Sequence, residues 1–376
     1  MHFIFSIFII KTETTRGGTF LKQKIKTVLK IFGMLIGAVL VFAAGFVGWL
    51  TIIEYKPDDI MPTYPIEDLF MADRPLSTND SFRVLTFNIG YGNLGKESDF
   101  FMDGGENVRN GDENLVLKNM EGIIGIIDEA DADIILLQEV DDSSKRSFFI
   151  NERQMLWENF GNEVVSAPNY VCNFVPFPWP PIGKVDSGIL TLSDYDIEKA
   201  ERISLPCPFS WPVSAANLKR CLLVSYYNIE GTDKQLVTVN LHLEAYDDGE
   251  GKIAQTKVLW EVLESEYEKG NYVIAGGDFN QMFPKTEEKY PIFTAELWEP
   301  GVLEEKDLLE GWQYVYDENT PTCRLLNKPY EKESAQHYVI DGFIVSPNVE
   351  VVSSETLDCG FEFSDHNPVL VEIIFK

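Results

Sequence analysis

Three short phrases near the carboxy end of this 376-residue chain carry the residues best suited to chemistry. They are Gly276-Gly277-Asp278-Phe279-Asn280, Val339-Ile340-Asp341-Gly342 and Ser364-Asp365-His366-Asn367-Pro368. Each sets a carboxylate, alone or with an amide or imidazole, just after or just before an apolar run of strand length. Strand ends converging on one pocket can hold an oxygen-ligated divalent cation beside a histidine. That combination suits attack on a phosphate ester.

The elements that must position these groups follow from periodicity. Phe82 to Phe87 reads as a first strand ending at Asn88, and a loop with Gly90, Gly92, Gly95, Gly104 and Gly105 follows. Glu113 to Ala130 has helical apolar spacing, and Asp133 to Gln138 is a continuous apolar strand that delivers Glu139. Further strands are expected at Ser187–Leu192, Arg220–Ile229 and Gln235–Leu243, the last two joined at Gly231-Thr232-Asp233 as a hairpin. Ile253 to Lys269 reads as an amphipathic helix with Gly270 at its C-terminal cap. Tyr272–Ala275, Tyr338–Val345 and Val369–Phe375 complete the strands. Hairpins mixed with helical crossovers predict an α/β fold, a four-layer sandwich of two packed mixed sheets flanked by helices.

Residues Ile31 to Ile53 carry no charge. As a helix they span roughly 35 Å, enough to cross a bilayer. Lys22, Lys24, Lys26 and Lys30 precede the run and Trp49 lies near its far edge. Positive charge stays cytoplasmic, so the expected order is a basic cytoplasmic segment 1–30, a transmembrane anchor 31–53, a proline-bearing linker 54–80 (Pro57, Pro62, Pro65, Pro75) and an extracytoplasmic body 81–376. A cleaved signal peptide competes with this reading, but the run is longer than a usual signal core and starts about thirty residues in. Met1 to Ile10 is apolar too, yet too short to span.

Six Lys or Arg and one Glu precede the anchor, out of 31 basic and 60 acidic residues, which leaves 25 against 59 and a net charge of −34 beyond it. Such a surface repels polyanions and argues against long nucleic acid as a partner, although solubility alone also accounts for it. The five cysteines (172, 207, 221, 323, 359) form no closely spaced pair, so zinc-finger and thioredoxin-like sites are excluded. Cys207 and Cys221 fit either a disulfide or two small buried hydrophobes.

In chain order the strand ends supply Asn88, Glu139, His242, Asp278 with Asn280, Asp341, and Asp365 with His366. With the phrases Thr86-Phe87-Asn88, Leu137-Gln138-Glu139-Val140, Asn240-Leu241-His242-Leu243, Gly277-Asp278-Phe279-Asn280 and Ser364-Asp365-His366, this set resembles the endonuclease/exonuclease/phosphatase superfamily, from about Phe82 to Lys376. The resemblance implies Mg²⁺, with Mn²⁺ an alternative, near Glu139 helped by Asn88 and Asp365. It implies a His366–Asp341 pair that stabilises the pentacovalent phosphorane or activates water. Asp278 would orient or deprotonate that water, Asn280 would hold a phosphoryl oxygen, and His242 would protonate the leaving oxygen, as in the deoxyribonuclease and sphingomyelinase branches. Arg220 and Arg324 are further phosphate-binding candidates because guanidinium pairs bidentately with phosphate, though each also fits a structural or surface role. His337 matches nothing in the set.

The expectation is a membrane-anchored, divalent-metal-dependent phosphodiesterase or phosphatase. Its substrates would be phospholipid head groups or small phosphorylated metabolites. A nuclease of the same fold and an inactive phospho-ligand-binding relative are the alternatives. The stretch Phe283–Gln336, with Trp298, Trp312, Tyr314 and Tyr316, is expected to form one wall of the pocket, and the Phe174–Pro181 stretch reads either as a lip touching lipid or as a rigid packed loop.

Overall fold

The computed structural model describes residues 2–64, 74–79, 81–160, 163–247, 249–294 and 296–376, with side chains from residue 24 onward. The chain divides into two units, Met1–Glu54 and Tyr55–Lys376. The first is a single helix, α1 (His2–Ile52), whose stretch Lys24–Ile52 has a mean hydropathy of 2.4 and is long and apolar enough to cross a membrane. Most of its described apolar side chains, among them Val28, Leu35 and Phe42, are exposed, unlike those of a buried core helix, while Leu50 near its end is buried.

The second unit runs β1 (Ile60–Thr63), β2 (Leu76–Ser77), β3 (Ser81–Asn88), α2 (Glu113–Ala130), β4 (Ile134–Asp141), α3 (Glu152–Phe160), β5 (Glu163–Val175), β6 (Gly183–Ser193), β7 (Lys199–Ser204), β8 (Cys221–Glu230), β9 (Gln235–His242), α4 (Glu250–Glu268), β10 (Tyr272–Asp278), β11 (Gln313–Val315), β12 (Asp341–Val345), β13 (Val349–Thr356) and β14 (Val369–Phe375). One sheet has the order β1-β7-β8-β9-β10-β12-β11 with β2 beside β8, and the other β13-β14-β3-β4-β6-β5.

The layers follow from which faces are apolar. Val84, Ile134 and Ile189 of one sheet meet Leu223, Ile274 and Phe343 of the other in the central core. Leu259 and Leu263 of α4 close the outer face of the first sheet. Val116, Met120 and Ile123 of α2, with Leu156 of α3, close the second. This is the expected four-layer α/β sandwich. Helix α2 keeps the expected bounds because Asp112 caps its first turn and Asp131 leaves it in left-handed backbone.

Four of the numbered strands after the linker, β5, β7, β11 and β13, escape sequence reasoning. β5 carries Pro168 mid-strand, which reads as a breaker but sits at a bulge where the ladder skips a residue. β7 and β13 are mixed in polarity and pack one face only. The segment expected as a bare linker differs as well. Residues 60–63 pair with β7 and 76–77 with β8, so its described ends belong to the body; 65–73 and 80 lie outside the described residues. The expected strand Tyr338–Val345 is interrupted at 339–340, so that Asp341 opens β12.

Candidate active site

Register brings three of the expected residues side by side. β9 and β10 run parallel with His242 opposite Asp278, and β12 runs antiparallel with Asp341 opposite Asp278. The row His242–Asp278–Asp341 therefore crosses one sheet end. Gly277 allows it: at φ 156° its missing Cβ would lie 1.9 Å from the Leu241 carbonyl oxygen. The other sheet brings Asn88 opposite Gln138, with Glu139 next in line.

A buried amide pair holds the two sheet ends together. Gln138 Nε2 donates to Asn240 Oδ1 at 2.9 Å, and Asn240 Nδ2 donates to the carbonyls of Leu190 at 2.8 Å and Leu137 at 3.1 Å. Each amide is two residues or fewer from a candidate catalytic side chain. Glu139 itself takes left-handed backbone, φ 56°, at the bulge between Leu137 and Val140. Bulges re-aim side chains at sheet ends, and here the bulge turns a carboxylate from the ladder into the pocket. Arg146 steadies it, with Nη1 3.9 Å from Glu139 Oε2, a bidentate grip on Asp141 and its guanidinium 3.7 Å above the Tyr91 ring.

The loop before β14 closes the site. His366 Nδ1 lies 2.8 Å from Asp341 Oδ2, and its Nε2 lies 3.8 Å from Asp278 Oδ2 and 3.9 Å from Asp365 Oδ2. His242 Nε2 is 3.6 Å from the same Asp278 oxygen. Asn88 Nδ2 donates to Asp278 Oδ2 at 3.0 Å and approaches Glu139 Oε1 at 3.4 Å, while its Oδ1 accepts from the Gly90 amide. The Asn280 amide N–H donates to Asp278 Oδ1 at 2.8 Å, an Asx turn that fixes the carboxylate.

Burial separates these groups electrically. Burial, with Asp341 adding to it, pushes Asp278 up to about 6. Burial, Arg220 and His366 hold His242 well below the usual imidazole range. Burial works against the charge on His366, yet Asp341, Cys323 and Asp365 hold it well above that range. Two histidines thus face one carboxylate in opposite protonation states, the pattern expected where acid and base roles are divided.

The donor chemistry fits a hard divalent cation. Glu139 and Asp365 are carboxylates, and Asp365 is lifted to about 7 by burial with Glu139 raising it further, a like-charge conflict that a cation relieves. Asp278, Asp341 and His366 also bring ligand atoms within 4.8 Å of one another. Of these, His366 and Asp341 already occupy each other through the 2.8 Å contact, and Asp341 Oδ1 is buried without a hydrogen-bond partner. Asn88, expected as a ligand, accepts from the Gly90 amide through its oxygen and reaches Glu139 and Asp278 through its nitrogen.

Arg220 and Arg324 make other contacts. Arg220 pairs with Glu244 at 3.3 Å and donates to the His242 carbonyl oxygen. Arg324 donates to backbone carbonyls, including Gly95 at 2.8 Å, and so ties the glycine-rich loop to the strand before the site. Both side chains are buried. The Asn280 side chain likewise donates to the Leu243 carbonyl oxygen at 2.9 Å.

Sequence reasoning missed Arg146, Gln138, Asn240 and the pair Tyr246–Asp103, whose hydroxyl–carboxylate contact is 2.7 Å. Gln138 and Asn240 stand inside phrases already singled out, so adjacency was the available signal. Arg146, in a polar loop, gave none. Of the expected aromatic wall, Trp298 alone reaches the His242 segment, donating from Nε1 to the Ala245 carbonyl oxygen. Trp312, Tyr314 and Tyr316 pack instead in the α4-side core. His337 stacks on Phe361, and all five cysteines are free, with Cys221 buried and Cys207 exposed.

A sequence profile of the Endonuclease/Exonuclease/phosphatase family matches residues 85–366, and the chain belongs to that family. The family includes phosphodiesterases, nucleases and phosphatases, and its enzymes are generally divalent-metal dependent. Among solved structures, an endonuclease/exonuclease/phosphatase from Beutenbergia cavernae DSM 12333 is 15% identical, covering 78% of this chain and 72% of its own, with a TM-score of 0.55. Its counterpart from Bacteroides vulgatus is 16% identical over 79% of this chain and 100% of its own, with a TM-score of 0.52. A family protein from Leptotrichia buccalis C-1013-b gives 16%, 78%, 100% and 0.51 in the same order. At these identities the likeness is one of fold. No significant sequence match to a curated protein accompanies them.

Proposed function

We propose that this chain is a membrane-anchored phosphoesterase that hydrolyses phosphate esters by in-line attack of water, with its body outside the cytoplasm. The observation that carries the reading is the row His242–Asp278–Asp341 closed by His366, in which one carboxyl faces two imidazoles, one held neutral and one held charged.

Asp278 accepts the proton of the attacking water as the new phosphorus–oxygen bond forms. Asn88 and the Asn280 amide N–H hold its carboxylate in place. His366, kept charged by Asp341, stabilises the charge that accumulates on the phosphoryl oxygens and is the group with a proton to give as the ester bond breaks. His242, kept neutral, donates a hydrogen bond beside it. This moves the acid from His242, where the family resemblance suggests it, to His366. Glu139 and Asp365 would hold a divalent cation, Mg²⁺ or Mn²⁺, which when bound supplies charge neutralisation at the phosphoryl group.

The test is turnover of bis-p-nitrophenyl phosphate, p-nitrophenyl phosphate, sphingomyelin and single-stranded DNA by residues 55–376, with Mg²⁺, with Mn²⁺ and with EDTA. Metal-dependent hydrolysis that His366→Ala lowers by roughly 10²–10⁴-fold is expected. A folded body with no turnover of any substrate would instead indicate a relative that only binds phosphorylated ligands.

A further inference from the structure

Register shows which segments leave the sheets at the site end. β8 is antiparallel to β9, with Leu222 opposite Leu241, so β8 begins beside His242. The last residue of β7, Ser204, pairs with Cys221, and β1 enters with Ile60 opposite Ile203. In the other sheet Asp141 pairs with Ser187, and Val175 pairs with Gly183 further toward the same end. The entry of the chain into the body, the β7–β8 loop and the tip of the β5–β6 hairpin therefore all project where the catalytic candidates lie.

These segments expose large apolar side chains. Phe177 is 70% exposed and Trp179 89% in the hairpin tip, and Trp211 is 62% exposed in the β7–β8 loop. Ile60, at the entry, is 59% exposed. Below the surface the hairpin and the loop form one rim, since Cys172 and Val175 pack against Ala216 and Leu218. The rim borders the site: Phe177 lies 6.1 Å from Phe101, and Asp103, two residues on, accepts from Tyr246. Clustered exposed aromatics mark a binding surface, and tryptophan favours the boundary between water and lipid.

We propose that this rim seats the body on a bilayer with the site facing the head groups, so that the substrate is a phosphate ester carried by a membrane lipid. The inference rests on the phosphoesterase reading above. The chain itself points to lipid as the occupant. The uncharged run ends at Ile53, and the first body strand starts at Ile60, on the rim side of the sandwich. Six residues separate the two, so the chain tethers β1 within roughly 25 Å of the end of a membrane-seated helix. With a net charge of −34 beyond the anchor, attraction comes from apolar burial and not from anionic lipid.

The test uses residues 55–376, whose hydrophobic clusters, among the described residues, are built from residues between Leu76 and Phe375, so that this part carries its own core. The parent, a Phe177→Ser/Trp179→Ser variant and a Trp211→Ser variant are floated with phosphatidylcholine vesicles, with and without an anionic phospholipid. The double variant is expected to bind about tenfold more weakly or worse, with Trp211→Ser also weakened and no gain from anionic lipid. Brominated phosphatidylcholine should quench parent tryptophan fluorescence more than that of the double variant. Hydrolysis of bis-p-nitrophenyl phosphate in solution should be equal in parent and variants, while hydrolysis of vesicle-borne sphingomyelin or phosphatidylcholine falls with binding. A parent that does not bind vesicles, a double variant that binds as well as the parent, or a rim that mediates self-association in solution overturns the proposal. Rim-dependent vesicle binding without hydrolysis of either ester class supports the docking and overturns the phosphoesterase reading.

Discussion

Asp278 Oδ2 lies 3.6 Å from His242 Nε2 and 3.8 Å from His366 Nε2, and in the proposed mechanism its ionisation is the residue-scale event on which turnover depends. Its carboxyl is pushed up to about 6 by burial and by Asp341. As a base it works only when ionised, so kcat/KM is expected to rise with pH through about 6. An acid limb at the ordinary carboxylate value in a pH–rate profile would remove Asp278 from that role. Asp365 makes the complementary stability prediction. Burial, with Glu139 beside it, pushes its carboxyl up to about 7 in the folded state, from the ordinary 3.8. A raised carboxyl stabilises the fold below the lower value and loses that contribution as pH rises through the higher one. In EDTA, Asp365→Asn should therefore melt higher than the parent near pH 8, by about 1–3 kcal/mol, and equally near pH 4. Equal melting at both pH values would show that Asp365 is not strained by its neighbours.

At the scale of elements, the site depends on two sheets keeping their register against each other. Gln138 and Asn240 supply that link, buried between β4 and β9 and bonded to each other and to the carbonyls of Leu137 and Leu190. Asn240→Ala leaves those groups without donors in a dry interior. It is expected to destabilise the body by about 2–4 kcal/mol and to lower kcat at temperatures where the fold persists. Chemical denaturation with the double variant Gln138→Leu/Asn240→Leu provides the check. If the two changes add without coupling, the amides act separately and not as a clamp. Much at this scale is legible beforehand. The periodicity of 113–130, the hairpin across Gly231 and the cap at Gly270 are local signals, and the structure bears them out. β5 is not legible, because a proline tolerated at a bulge looks the same in sequence as a proline that ends a strand.

For the whole molecule, the basic residues before the apolar helix and the acidic body after it make topology testable. Cys207 is exposed, Cys359 is half-buried, and Cys172, Cys221 and Cys323 are buried. A membrane-impermeant maleimide should label Cys207 of the full chain in intact cells, and Cys207→Ser/Cys359→Ser should abolish the labelling. Labelling only after lysis would put the body in the cytoplasm. Residues 55–376 alone should be soluble and retain hydrolysis of a soluble diester, since their core is self-contained.

Sequence by itself determined the family, the order of the catalytic phrases and the apolar helix, because each is written in short runs whose meaning depends on neighbours a few residues away. Strand ends, too, announce themselves where an apolar run meets a carboxylate. Only the tertiary structure decided how those ends share protons and space. That Asp278 faces both His242 and His366, that the Asn88 nitrogen reaches Asp278 across the two sheets, and that Arg324 holds a loop all depend on long-range register. So does the placement of Phe177, Trp179 and Trp211 on the rim beside the site. Pairings between residues tens to hundreds apart are set by the packing of two sheets, and no local pattern encodes them.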